Sequence, residues 1–339
     1  MADLTDLYGS DDIGANFDAC CLDMNEIQEL NGLKILSYNI GGIGDKNYSE
    51  IETLLNFENP RNKIQILHIY ESWMGPKSKR KNLSIEGYDY IRRDRPINRK
   101  KKGGGMVVYY CNELNIDFDN YVGDWISNDD IELIFYKVSC QQALDIYIFS
   151  VYRPPNSKWS ALNSSECIDI VTDKMEKMPN GSKIILCGDW NQNLLVENIH
   201  TKELRCLCNS FSLTVLNNSI PTHYTKKSKS LIDITCAPLD LVNRAGIVNY
   251  TGNKNYGHMP TFIVLDTDYI RKTKYVTFVC RSMRDYSANE FCEELKKYDW
   301  GKVWNAVDPT YAWELFVDYI KRNLDVLHPL KEVRKKRKG

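Results

Sequence analysis

The sequence predicts an α/β sandwich followed by a helical appendage. Three observations predict it. Short apolar runs separated by turn residues recur from Leu33 to Asp266, helical spacing falls between only some of them, and several junctions run directly from strand to turn to strand. A doubly wound sheet needs strict alternation of strands and helices, and this pattern argues against one.

Residues 1–31 read as a weakly ordered leader. The opening MADLTDLYGSDDIGANF is acidic and lacks an apolar centre, so it is not a secretory signal. From Leu33 onward, KILSYNI, IQILHIY, GMVVYY, IELIFYKV, DIYIFSVY, KIILCGD, LTVLN, LIDITC and TFIVLD each read as strands. Helical patterns cover Ser49 to Phe57, Glu166 to Lys177 and Lys202 to Cys208. Together these define a domain of residues 32–268. After Asp268 the spacing turns helical in YSANEFCEELKKYDW and TYAWELFVDYIKRNLDVL, with Ser287 as N-cap and Glu290 completing a capping box. The chain ends in PLKEVRKKRKG, so residues 269–339 read as a helical, linker-like appendage with a basic tail.

Of the 339 residues, 43% are hydrophobic and 26% charged, which describes a soluble globular protein with a sizeable core. The formal net charge of −1 gives no global attraction for polyanions, so nucleic-acid contacts must come from local basic patches. The 11 cysteines show no CxxC spacing, which argues against a zinc site or a disulfide framework. Reduced thiols fit an intracellular setting. No apolar run is long enough to span a bilayer, so no membrane partner is expected.

The segment KIILCGDWNQN, Lys183 to Asn193, is the strongest local signal. Its apolar run ends at Gly188 and delivers Asp189 and Asn191 to the mouth of a sheet. A carboxylate beside an amide can orient a water for attack on phosphorus. Taken alone, Gly-Asp-x-Asn is more often an Asx turn. Five other polar clusters share its placement: Tyr38-Asn39, Glu71-Ser72-Trp73, Tyr152-Arg153-Pro154-Pro155, Ser230-Leu231-Ile232-Asp233, and His258 ahead of TFIVLD. Each has a bland explanation singly, whereas the set in this order points to one site.

The order resembles the endonuclease/exonuclease/phosphatase superfamily, related to apurinic/apyrimidinic endonucleases, and within it the endonuclease domain of LINE-type (non-LTR) retrotransposons. YESW at 70–73, RRDR at 92–95, KKGGGMVVYY at 101–110, YRPP at 152–155, GDWNQNLL at 188–195, HYT at 223–225 and SLIDI at 230–234 carry the resemblance. It implies a four-layer α/β sandwich of two packed, mainly antiparallel sheets flanked by helices, with the site at one edge. It implies a DNA endonuclease that leaves a 3′-hydroxyl, in the nucleus, with a reverse transcriptase encoded by the parent element as partner. Glu71, helped by Asn39, resembles the metal ligand, and an oxygen-rich site of this kind suits Mg²⁺, with Mn²⁺ as the alternate ion. Asp189 resembles the residue that orients or deprotonates the attacking water, and Asn191 the one that holds phosphate or nucleophile beside it. Tyr152 and His258 are expected to contact the scissile phosphate. Asp233 is expected to hydrogen-bond His258, fix its tautomer and favour its charged form. Thr225 and Ser230 match polar positions of the same branch.

The chain departs from the family at Tyr256-Gly257-His258, where Ser-Asp-His is usual. The missing carboxylate implies weakened activity, since losing one electrostatic partner costs on the order of 10²–10³ in rate. Restoring it with Gly257→Asp is then expected to raise nicking. Arg92 to Lys102 reads as a loop whose Arg99, Lys100 and Lys101 contact DNA phosphates, or as a solvated hairpin; Arg153 joins the candidate substrate contacts. Trp73 and Trp190 are expected to pack beneath the site. Two other readings stay open: a phosphodiesterase acting on a phosphoinositide or sphingolipid, and a DNA-binding relic with little catalysis.

Overall fold

The computed structural model describes residues 18–55, 63–75, 78, 82–95, 103–127, 130–140, 145–155, 164–217, 219–249, 257–268, 275–284 and 286–336. It divides into two units, Met1–Lys272 and Thr273–Gly339. Along the first run β1 (Cys20–Leu22), α1 (Met24–Glu29), β2 (Leu33–Asn39), α2 (Asp45–Leu55), β3 (Ile66–Tyr70), β4 (Tyr88–Arg93), β5 (Met106–Cys111), β6 (Ile116–Asp117), β7 (Ile126–Ser127), β8 (Glu132–Ser139), β9 (Asp145–Tyr152), α3 (Ser164–Met175), β10 (Lys183–Asp189), α4 (Ile199–Ser210), β11 (Thr214–Val215), β12 (His223–Tyr224), β13 (Lys229–Ser230), β14 (Asp233–Ala237), β15 (Val242–Val248) and β16 (Thr261–Leu265).

Two sheets form the centre. One has the order β1-β15-β16-β2-β3-β5-β4, the other β11-β14-β10-β9-β8-β6 with β7 beside β8. Three pairs are parallel, β1 with β15, β2 with β3 and β9 with β10; the rest are antiparallel. Side chains alternate across each strand with period two. On β10, Ile185 and Cys187 join the core shared with the first sheet, whereas Ile184 and Leu186 face α3 and α4 through Val171, Leu204 and Leu207. On β9, Ile148 and Tyr152 share the first core, and Tyr147, Phe149 and Val151 the second. The first core also takes Ile27 of α1 and Ile51, Leu54 and Leu55 of α2. Central strands covered on both faces are apolar throughout, which is why their runs are unbroken in the sequence.

All nine expected strands and all three expected helices of this unit are present. Two longer strands were not anticipated. β4 (YDYIRR) and β15 (VNRAGIV) are edge-like stretches whose exposed positions interrupt the apolar run. The leader reading also needs correction. Residues 1–17 lie outside the described residues, but Cys20–Leu22 pairs in parallel with β15, and α1 buries Ile27 behind an Asp23–Glu26 capping box.

The second unit contains β17 (Tyr275–Arg281), α5 (Ala288–Leu295), α6 (Gly301–Trp304), α7 (Pro309–Leu327) and β18 (Leu330–Lys336). Ser287 caps α5, accepting from the Glu290 backbone at 3.4 Å. Tyr319 of α7 stacks on Tyr298 and meets Trp300 edge-on, and Asn323 donates to the Phe291 carbonyl at 2.9 Å. The basic tail is not a free end: Leu330–Lys336 is a strand, antiparallel to β17 from Arg281↔Leu330 to Tyr275↔Lys336. Among the described residues, no helix is long and apolar enough to cross a membrane.

Candidate active site

The alternation that builds the core also builds the site. Between the sheets lies a polar belt. His68 is fully buried, with Nδ1 3.1 Å from Ser37 Oγ and Nε2 2.6 Å from the Tyr136 hydroxyl; the Tyr70 hydroxyl lies 3.0 Å from Ser150 Oγ. Two residues further along β2, β9 and β10, the same faces carry Asn39, Tyr152 and Asp189. The strands thus deliver three polar side chains to one end of the inter-sheet layer.

There they meet. Asn39 Nδ2 donates to Glu71 Oε1 at 3.1 Å and to Asp189 Oδ2 at 2.8 Å. The Gly41 amide donates to Asn39 Oδ1 at 3.2 Å, which fixes the orientation of the side-chain amide. The Tyr152 hydroxyl donates to Glu71 Oε1 at 2.9 Å, and Trp73 Nε1 to Oε2 at 2.9 Å. Asp189 Oδ1 accepts from the Asn191 backbone at 2.9 Å. His258 Nδ1 lies 2.9 Å from Asp233 Oδ2. Gly188 lets β10 approach β9 at the turn into the site, since a Cβ there would sit 2.0 Å from the Val151 carbonyl oxygen. Glu71, Trp73 and Asn191 hold φ of 53°, 52° and 48°, a left-handed conformation that is costly for Glu and Trp. Backbone bonds from Ser72 and Trp73 to Gly105 and Gly104 hold the first two.

Charge is concentrated here. Burial, with the charge of Asp233 beside it, pushes the Asp189 carboxyl up to about 7. Burial disfavours the His258 cation, but the charge and hydrogen bond of Asp233, with Asp189 and Glu71 behind, outweigh it and raise His258 to about 9. Burial and the neighbouring Glu71 raise the Tyr152 phenol well above its ordinary value, so it stays a donor. Asp189, Asp233 and His258 bring ligand-type atoms within 4.8 Å of one another. Asp233 and His258 already satisfy each other, however, which leaves the carboxylates of Asp189 and Glu71 as the better hard-cation donors. A fully buried carboxylate held near its protonation point is relieved by a cation, so the residues present fit a divalent ion.

Not every expected residue joins. Arg153 is 1% exposed; its Nη1 donates to the Trp190 carbonyl and its backbone to the Asp189 carbonyl. It is a clamp between the ends of β9 and β10, too deep to reach a DNA surface. Asn191 spends its amide on the Arg153 carbonyl at 2.9 Å. Thr225 closes the β12–β13 turn against Ser228. The threonine that touches the site is Thr222, whose buried Oγ1 accepts from the backbone of Asp233 at 3.0 Å. Ser230 Oγ lies 3.4 Å from Nδ1 of His223, whose ring is 4.4 Å from that of His258. Trp190 is buried as expected, whereas Trp73 is 42% exposed and lies against the Gly42 backbone. Arg99, Lys100 and Lys101 lie outside the described residues.

Gly257 has φ of 76°, and a Cβ on it would stand 2.2 Å from the Tyr224 carbonyl oxygen. The Gly257 carbonyl accepts from Tyr224 at 2.8 Å, and Met259 donates to Thr222 at 2.7 Å. The backbone around the departure is therefore built for glycine, and Gly257→Asp is not the simple restoration that the sequence suggests.

Residues 146–260 match the model of a family described as endonuclease-reverse transcriptase, a span that holds YRPP, GDWN, HYT and SLIDI. The structure is similar to the endonuclease domain of TRAS1, a telomere-specific non-LTR retrotransposon, with a TM-score of 0.52 and 13% identity over 71% of this chain and all of that one. It is similar to the Xenopus laevis APE2 catalytic domain, with a TM-score of 0.53 and 13% identity over 71% of this chain and 94% of that one. The sandwich has the fold of these two nuclease domains. No curated protein matches the chain. Among the described candidate residues, Arg153 and Thr225 turn away from the site, and Asn191 spends its side-chain amide on the Arg153 carbonyl.

Proposed function

We propose that the chain is a metal-dependent DNA endonuclease of retroelement origin that nicks its target to leave a 3′-hydroxyl, with Mg²⁺ or Mn²⁺ as cofactor. One observation carries the reading: Asn39 ties Glu71 to Asp189 beside the buried Asp233–His258 pair. A phosphodiester anion repels a nucleophile, so hydrolysis needs a base together with positive charge and donors around the phosphate oxygens. Glu71, helped by Asn39, would hold the ion, which supplies charge neutralisation at the phosphate when bound. Asp189, ionising near neutrality, accepts the proton of the attacking water. His258, kept cationic by Asp233, donates to a non-bridging phosphate oxygen. Tyr152 donates its phenol to the same phosphate. The retroelement likeness further supports a nuclear target and a reverse transcriptase from the parent element as partner.

Gly257 favours a second reading, a domain that binds DNA and cuts it slowly or not at all. Supercoiled plasmid incubated with Mg²⁺ separates the two. Nicked circles with polymerase-extendable 3′ ends, abolished by chelator and by Glu71→Gln, are the expected result. Retarded but intact plasmid at every Mg²⁺ and Mn²⁺ concentration overturns the endonuclease.

A further inference from the structure

Arg95 stands inside the candidate site, although the RRDR motif that contains it reads as surface charge. Its Nε donates to Glu132 Oε1 at 2.8 Å, and the side chains are 11% and 1% exposed. Glu132 lies on β8 directly opposite Tyr152 on β9, and its Oε2 accepts from the Gly105 amide at 2.7 Å. The guanidinium lies over the Tyr152 ring, 5.8 Å from its centroid. The glycine run supplies the space: a Cβ on Gly104 would stand 2.2 Å from Arg95 Cζ. Gly104 and Gly105 also hold Trp73 and Ser72 by their carbonyls, immediately after Glu71. The close approach that three successive glycines permit is thus made by a side chain of the same chain.

We propose that Arg95 is a positioning residue for Tyr152, clamped by Glu132 and seated in the hollow left by Gly104, so that the phenol is held against Glu71 where the scissile phosphate binds. The planar guanidinium suits this role: its Nε donates to the carboxylate while its carbon lies over the aromatic ring, a pairing of contacts that the point charge of an ammonium reproduces poorly. The functional part of this inference rests on the endonuclease reading; the positioning part does not.

The test uses the full chain carrying 3-fluorotyrosine at residue 152, with Arg95→Ala, Gly104→Ala and, as control, Lys183→Ala, which breaks a surface pair with Asp240. Gly104→Ala pushes the guanidinium aside without removing its charge. The expected result is a moved or broadened fluorine resonance in the first two variants and an unchanged one in the control. In the nicking assay with unlabelled protein, Arg95→Ala is expected to lower kcat roughly threefold to thirtyfold with little change in KM. Arg95→Lys is not expected to restore the rate, and Arg95→Ala is expected to cost nothing more in a Tyr152→Phe background. An unmoved fluorine signal in folded Arg95→Ala overturns the proposal. So does an equal loss in the Tyr152→Phe background, or a rise in KM alone, which would make Arg95 a DNA contact. If the unmutated chain nicks no DNA, the endonuclease reading fails, and the fluorine comparison alone decides whether Arg95 positions Tyr152.

Discussion

Asn39, closing β2 in one sheet, donates to Asp189, closing β10 in the other, at 2.8 Å. The same nitrogen reaches Glu71, so one amide sets the spacing of two carboxylates that otherwise repel. Asn39→Ala leaves both without that donor. The expected outcome is a loss of about a hundredfold in nicking. Metal affinity is expected to weaken about 10- to 100-fold, as for other residues that orient ligands, and to show as a raised Mn²⁺ midpoint in calorimetry. Unchanged metal affinity would remove Asn39 from the ion's surroundings.

The Asp233–His258 pair sets the alkaline limit. His258 is raised to about 9 in the fold, above its ordinary 6.5, so the cation contributes stability that is complete below pH 6.5 and is lost as pH rises through about 9. In Asp233→Asn the main source of the rise is gone, and burial opposes only the remaining charges of Asp189 and Glu71, which lowers the ring from its native value. The alkaline limb of nicking is expected to move down, and a ring titration followed by NMR in metal-free protein should move with it. A limb that stays near pH 9 in the variant would place the titrating group elsewhere.

How much of this was readable depended on where each residue's partner lies. Strands buried on both faces, such as β9 and β10, announce themselves as apolar runs, and the polar residues that end them follow by parity. The reading failed where identity and depth diverge. Arg153 looks like a DNA contact until its burial between two strand ends is seen. Thr225 and Thr222 are both plausible from HYT and its flank, and only the hairpin register separates them. Arg95 read as surface charge because its partner Glu132 is 37 residues away, on the other sheet. Trp73 was expected inside, but the left-handed turn at residues 71–73 carries it outward onto Gly42.

His68 gives the fold an acid limit independent of catalysis. Burial lowers it to about 3, so the neutral ring is favoured in the native state. The sign is opposite to that of His258: its contribution is complete above pH 6.5 and is lost as pH falls toward about 3, on the order of 5 kcal/mol in full. Glu132, raised to about 7 by burial, runs the other way, losing stability as pH rises from 4.5 through 7. The difference between the native chain and His68→Gln isolates the histidine, because Glu132 is common to both. Urea midpoints of the native chain relative to His68→Gln are expected to fall between pH 6.5 and 4. Parallel midpoints across that range would show that His68 is not held neutral by the fold.

Gly257→Asp offers the sharpest contrast between motif and geometry. By motif alone, it restores a carboxylate beside His258 and should raise nicking. By geometry, an aspartate must adopt φ near 76° with its Cβ against the Tyr224 carbonyl, so the β12 contact that seats His258 has to shift. Strain of this kind costs about 1–3 kcal/mol. The expected outcome is a lower melting temperature and nicking no faster than the native chain at saturating Mg²⁺. A variant that melts at the native temperature and cuts faster would show that the loop accommodates the side chain and that the missing carboxylate alone limits the rate.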